Sequence, residues 1–159
     1  HEIIELAVLV AQMKDDKLEV VGELDLKVQP KNIEKAEPQA LRINGYNEAD
    51  WLFAISLEDA MREFAKKTEG AVFIAHNATF DYGFIESAFK QTGVENKMHY
   101  HRLDTLSMAF AILHGNGDVG KLSLKALCER YGVENKKAHS AFADTYALYE
   151  VFKKMMNLK

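Results

Sequence analysis

Residues 71–89, AVFIAHNATFDYGFIESAF, join a short apolar run to a polar break at His76-Asn77 and then to a segment with helical spacing. The run predicts a strand, the break a turn, and the remainder a helix ending near Gly93. Asp81 is the anomaly in that helix. Steps of three, four and seven residues lead from it to Phe84, Ile85 and Ala88, so its carboxylate lies on the stripe expected to face the core. An isolated ionised carboxylate there is costly unless a cation meets it. The C-terminal segment repeats the pattern, with Asp144 on the face of Leu148, Val151 and Met155. Two acidic residues, each heading an apolar stripe, point to a shared metal site.

Upstream, IIELAVLVAQM (residues 3–13) is rich in large and β-branched apolar residues and predicts a strand. Asp15-Asp16, between Lys14 and Lys17, is read as a hairpin turn, because turns favour Asp. Residues 18–29 alternate, with Leu18, Val20, Gly22, Leu24, Leu26 and Val28 on one face, and Pro30 closes this second strand. The connection over 30–55 is irregular, with Pro38, Asn44-Gly45 and Trp51, and has room for a short helix. Tyr46 and Trp51 are expected to pack this connection onto the body, with base stacking as the alternative. Ser56 and Asp59 resemble a capping box ahead of the stripe Leu57, Ala60, Met61, Phe64 and Ala65.

Downstream, residues 99–103 predict another strand, followed by helices over about 105–113, from Ser123 to Gly132, and over about 140–157. The order of hairpin, helix, strand, helix, strand and helices is an α/β layout with at least one parallel connection, in a single domain.

The 159 residues carry a net charge of −4, with 48% hydrophobic and 28% charged side chains, the balance of one globular domain with a proper core. This charge lacks the broad basic footprint needed to grip long duplex nucleic acid, although handling a strand end requires few phosphates to be neutralised. Cys128 is alone, which excludes an internal disulfide and a multi-cysteine zinc site. No apolar run is long enough to cross a membrane as a helix and no signal-peptide pattern is visible, so a cytoplasmic location is the expectation.

In AHSAFADTYAL, His139 and Asp144 stand five residues apart, a rotation of roughly 140° along a helix. They converge only if His139 sits at the helix entry, and the small residues Ala138, Ser140, Ala141 and Ala143 leave room there. An imidazole beside a metal-bound water suits a general base near neutral pH, while a solvated cap histidine is the alternative. His76 and Asn77 close the strand 71–75, at the edge where ligands collect in open α/β sheets. Asn77 is also explained by bonding its own turn backbone. Asp104 is explained as a helix cap without catalysis. His99 and His101 would share one strand face, but a zinc site needs more ligands than these. GNGDVGK (115–121) matches the start of a phosphate-binding loop, yet Leu122 stands where Ser or Thr belongs and a helical segment precedes it, so a glycine loop between helices is expected.

HNATFD (76–81) resembles the second motif of the DEDDh 3′–5′ exonucleases, and HSAFAD (139–144) resembles their third, in its histidine form. IIELAVLV resembles the strand after their first motif, and LDTLSMA and KLSLKALCERYGV resemble segments between the second and third. The likeness spans nearly the whole chain in the correct order. The family includes the proofreading subunit of bacterial replicative polymerase, ribonuclease T and oligoribonuclease.

The resemblance implies a ribonuclease H-like α/β fold, a mixed central sheet flanked by helices. It also implies two-metal hydrolysis of phosphodiester bonds at single-stranded 3′ ends of DNA or RNA, releasing nucleoside 5′-monophosphates, with two Mg²⁺ or Mn²⁺ ions as cofactors. In that scheme Asp144 is a direct metal ligand, Asp81 holds the second metal or its waters, and His139 takes the proton from the attacking water. His76, Asn77 and Phe80 are the implied substrate contacts, and a DNA polymerase subunit is an implied partner.

One feature departs from the family. Its first motif, an Asp-x-Glu on the first strand, would lie upstream of Glu2, and neither Glu2 nor Glu5 stands in that pattern. With His1 rather than Met at the start, the expectation is a sequence lacking this strand, whose place in the fold is the sheet centre between hairpin 3–29 and strand 71–75. A non-catalytic module that binds nucleic acid or a partner through a degenerate site is the competing reading.

Overall fold

The computed structural model describes residues 2–117, 120–135 and 140–158. Strands β1 (Glu5–Lys14) and β2 (Lys17–Lys27) form an antiparallel hairpin running from Glu5↔Lys27 to Lys14↔Lys17. Its turn is Asp15-Asp16, with φ of 48° and 62°, the pair of left-handed positions that a two-residue hairpin turn requires and that Asp tolerates. The register shifts between Val10 and Ala11, leaving Val21 outside the pairing as a bulge. The expected alternation of β2 holds, with Leu18, Val20, Leu24 and Leu26 turned toward the protein.

The irregular connection contains a single 3-10 turn at Ile33–Lys35 and the short helix α1 (Pro38–Ile43). Trp51 is 6% exposed. Its Nε1–H donates to the Ile4 carbonyl (3.0 Å), its ring meets Tyr46 at 4.9 Å between centroids, and the Lys27 ammonium sits 3.9 Å from the ring centre. Trp51 therefore packs the connection onto the hairpin; it is not presented as a stacking platform.

Helix α2 (Leu57–Lys67) opens as its capping pattern predicts: the Asp59 N–H donates to Ser56 Oγ (3.0 Å) and the Ser56 hydroxyl donates back to the Asp59 carboxylate (2.7 Å). Strand β3 (Phe73–Ala75), helix α3 (Ala78–Thr92) and strand β4 (Arg102–Asp104) follow, with β3 and β4 parallel and in register from Phe73↔Arg102 to Ala75↔Asp104. Gly93 at φ 69° stops α3 where predicted. Helices α4 (Thr105–Gly115), α5 (Leu124–Tyr131, stopped by Gly132 at φ 61°) and α6 (Ala141–Met155) complete the order.

One sequence expectation is corrected, and another, the helix expected ahead of 115–121, is found. The strand foreseen at 99–103 pairs only over Arg102–Asp104, because the chain reaches β3 late; His99 and His101 lie in the approach and share no strand face. They meet through a local turn instead, with the His101 N–H donating to His99 Nδ1 (3.1 Å). The loop 115–121 follows the helix α4, not a strand, so it lacks the setting of a phosphate-binding loop; residues 118–119 lie outside the described residues.

The α2 and α3 stripes (Ala60, Met61, Phe64, Ala65, Ile85, Ala88, Phe89) pack on Leu6 and Val28 of the hairpin side. A second cluster joins α4, α5 and α6 through Ala109, Leu113, Leu127, Cys128, Ala147, Val151 and Met155. Among the described residues the sheet content is mixed and divided, with an antiparallel pair β1-β2 and a parallel pair β3-β4. Between the hairpin and β3 lies a cleft of about 570 Å³, lined by residues 2–9 and by residues 73–76.

Phe64, 2% exposed, touches Phe89 in the first cluster at 6.0 Å between ring centroids. Phe64→Ala is expected to destabilise the protein by about 3–5 kcal/mol, read as a lower urea midpoint with unchanged slope; a loss near zero would show that this cluster does not hold the hairpin to the helices.

Candidate active site

The cleft gathers side chains from three directions. Helix α3 contributes Phe80, Asp81, Phe84 and Ile85, helix α6 contributes Asp144, Thr145 and Leu148, and β1 contributes Glu5 together with its apolar neighbours. Asp81 and Asp144 each lie in the first turn of their helix. The N–H groups there, which have no acceptor within the helix itself, give positive potential, so a carboxylate is better tolerated than at mid-helix. The buried part of each stripe is as predicted, with Ile85, Ala88, Val151 and Met155 inside. Asp81 itself is not sealed in the core: its surface opens to the cleft. Surrounding protein nevertheless strips enough water from it to raise its carboxyl above the usual range, against a backbone hydrogen bond that lowers it. Asp144 is half-buried and accepts a hydrogen bond from Asn135 Nδ2 (2.6 Å).

His76 also lines the cleft, and its Nδ1 lies 3.1 Å from the Thr105 hydroxyl. Partial burial lowers its pKa, outweighing the Leu122 backbone and the Asp104 carboxylate, which favour the charged ring. Nε2 is buried without a hydrogen-bond partner among the described residues. Asn77 is exposed, stands in the left-handed region (φ 66°, ψ 55°), and is absent from the cleft wall. Phe80 is 62% exposed and packs on Phe84 at 5.1 Å, presenting an aromatic face at the cleft. His139 lies outside the described residues. The structure therefore brings Asp81, Asp144, His76 and Phe80 to one cleft and sets Asn77 in the turn beside it.

Glu5, which does not stand in the pattern of the first motif and takes no site role from the sequence on that ground, lines the cleft. Its carboxylate accepts from the Ala141 N–H at the start of α6 (3.1 Å) and pairs with Lys27. A lone acid inside the apolar run IIELAVLV is the signal that could have marked it. Asn44, from the end of α1, is a further cleft residue that no sequence pattern singled out.

An exonuclease family model, of the RNase T type, matches residues 1–152. The chain belongs to this exonuclease family. With it comes membership of the DEDDh superfamily. PolC-type DNA polymerase III of Staphylococcus saprophyticus is 36% identical over 103 residues, 65% of this chain, and the same enzyme of Staphylococcus aureus matches equally. The match covers 7% of those polymerases' length. Two solved structures of exonuclease I superpose with a TM-score of 0.71, at 18% and 17% identity, over 87% of this chain and 34% of theirs; one of them holds E. coli exonuclease I with a dA16 oligonucleotide. At that identity the likeness speaks for the fold, which is ribonuclease H-like.

The donor chemistry fits hard divalent cations. The metal-capable groups at the cleft are mainly carboxylates (Glu2, Glu5, Asp81 and Asp144), with the His76 imidazole beside them, and Mg²⁺ is commonly held by one or two carboxylates with waters and substrate phosphate completing its shell. No group of three or more His, Cys, Asp or Glu converges on one point among the described residues.

The raised pKa of Asp81 has a thermal consequence. Its carboxyl binds a proton more readily in the folded than in the unfolded chain, so its ionised form costs stability above the folded pKa, and the cost disappears as pH falls below the unfolded value near about 3.9. Asp81→Asn in chelator is therefore expected to raise the melting temperature at pH 7, with the advantage shrinking toward pH 4. A variant that melts lower than the parent at neutral pH contradicts this account.

Proposed function

We propose that residues 1–159 form a 3′–5′ exonuclease domain that removes nucleotides from single-stranded DNA or RNA ends and releases nucleoside 5′-monophosphates. The observation that carries the reading is the meeting of Asp81 and Asp144, from the first turns of two helices, in one cleft beside the end of β3. Membership of the exonuclease family supports it. Asp144 would hold one divalent cation and Asp81 a second or its waters, both Mg²⁺ or Mn²⁺; when bound, such ions neutralise charge on the phosphate and on the attacking and leaving oxygens. His139, five residues before Asp144, takes the proton from the attacking water. Phe80 offers a ring for the terminal base and His76 lines the cleft as a second contact to the end nucleotide, with Asn77, in the turn beside the cleft, as a third.

The oligonucleotide bound to exonuclease I and the likeness to PolC-type polymerase support a single-stranded DNA end and a polymerase setting for this domain. A net charge of −4 favours short substrates or a partner that supplies the grip on the strand.

A second reading has one observation in its favour. The absence of a three-ligand cluster among the described residues fits a module that binds a strand without cutting it. Labelled single strands separate the two. With a 5′ label, trimming from the 3′ end leaves a ladder of shortened labelled products, whereas digestion from the 5′ end releases the label as a mononucleotide. Trimming should require Mg²⁺ or Mn²⁺, stop with chelator, and fall by roughly 10²–10⁴-fold in His139→Ala. Strand binding with no cleavage in either metal establishes the second reading, and undiminished trimming by His139→Ala removes that residue as the base.

A further inference from the structure

Resting on the exonuclease reading, we infer that Asp104 is a positioning residue, a clamp that fixes where helix α3 begins and hence where Asp81 stands in the cleft. Asp104 ends β4, one strand away from the turn that launches α3. Its Oδ1 accepts from the N–H groups of Asn77 (2.9 Å), Ala78 (3.2 Å) and Leu106 (3.3 Å), and its Oδ2 accepts from the Ser107 hydroxyl (2.5 Å). One carboxylate thus caps two helices, its own α4 and the neighbouring α3.

The residue beside it extends the grip. The Thr105 hydroxyl, fully buried, donates to the Ala75 carbonyl (3.2 Å) and lies against His76 Nδ1 (3.1 Å). Asp104 and Thr105 together hold four consecutive positions, Ala75 to Ala78. That stretch needs holding. Asn77 adopts left-handed backbone, which Asn tolerates better than most residues but which cannot run straight on into a helix, and its side chain makes no capping bond to α3. The cap that α3 would draw from its own N-terminal residue comes from another strand. Asp81 follows Ala78 by three residues, within the same turn, so a change in the path of Asn77-Ala78 rotates or shifts the carboxylate directly.

The charge at Asp104 is suited to this task. Partial burial disfavours it, but hydrogen bonds from Ser107, Ala78, Leu106 and Asn77 outweigh burial and hold the carboxyl below its usual range. It remains an acceptor throughout the neutral range.

Two substitutions separate the clamp from ordinary capping. Asp104→Ser keeps a good cap for α4 but is too short to reach Asn77 and Ala78. Asp104→Asn keeps the accepting oxygen at the same reach. Initial rates on a short single strand, at several Mn²⁺ concentrations and well below the melting temperature, are the readout. Asp104→Ser is expected to lose roughly 10–100-fold in kcat, the cost of a small misplacement, with KM for the strand within about twofold and weaker apparent Mn²⁺ affinity. Asp104→Asn is expected to recover most of both. A folded Asp104→Ser with parental kcat and Mn²⁺ affinity overturns the inference, and so does Asp104→Asn failing as badly as Ser. If the parent neither trims nor binds Mn²⁺, the exonuclease reading is what fails. The clamp is then judged by amide exchange at Asn77 and Ala78: faster in Asp104→Ser and unchanged in Asp104→Asn sustains it, and equal rates in all three end it.

Discussion

Two helices that begin at the same cleft set the constraint under which the rest of this protein is built. The starts of α3 and α6 carry the positive end of the helix dipole, and each places a carboxylate in its first turn. Local helix potential favours the two negative charges, while their confinement in one partly desolvated cleft opposes them, and the raised Asp81 carboxyl shows that desolvation prevails at that residue. Under the proposed function a divalent cation would resolve the conflict; Lys27, a nearby ammonium among the described residues, is engaged with Glu5 and the Trp51 ring.

The two acids are held by different parts of the molecule. Asp81 is referenced to β3 and β4 through the hydrogen bonds of residues 75–78. Asp144 is referenced to the hairpin: the Ala141 N–H donates to Glu5, the Tyr149 hydroxyl donates to the Leu18 carbonyl (2.5 Å), and the Tyr146 hydroxyl donates to Glu23 (3.2 Å). The separation of Asp81 from Asp144 therefore depends on how the antiparallel and parallel strand pairs stand across the cleft, and the packing of Leu6 and Val28 against α2 and α3 helps set it.

Much of this was legible in the chain. Hydrophobic spacing gave the helices, Asp15-Asp16 the hairpin turn, and Gly93 and Gly132 the helix stops, because each is a local consequence of backbone sterics or burial. Asp81 and Asp144 stood out as acids on apolar stripes. Glu5 and the second half of Asp104's role did not, since both depend on partners far away in sequence: Ala141 is 136 residues from Glu5 and Asn77 is 27 from Asp104. The strand foreseen at 99–103 starts only at Arg102, because its pairing is limited by the three residues of β3.

Trp51 gives the molecule an unplanned instrument. It is the sole tryptophan in the chain, and its indole is fastened to Ile4 and covered by Lys27. The connection that carries it also brings Asn44 to the cleft. Ultraviolet emission from this one ring comes from the joint between that connection and the hairpin, without any label. A strand end entering the cleft and shifting the connection would change the colour or intensity of that light, so the protein carries its own optical gauge of occupancy.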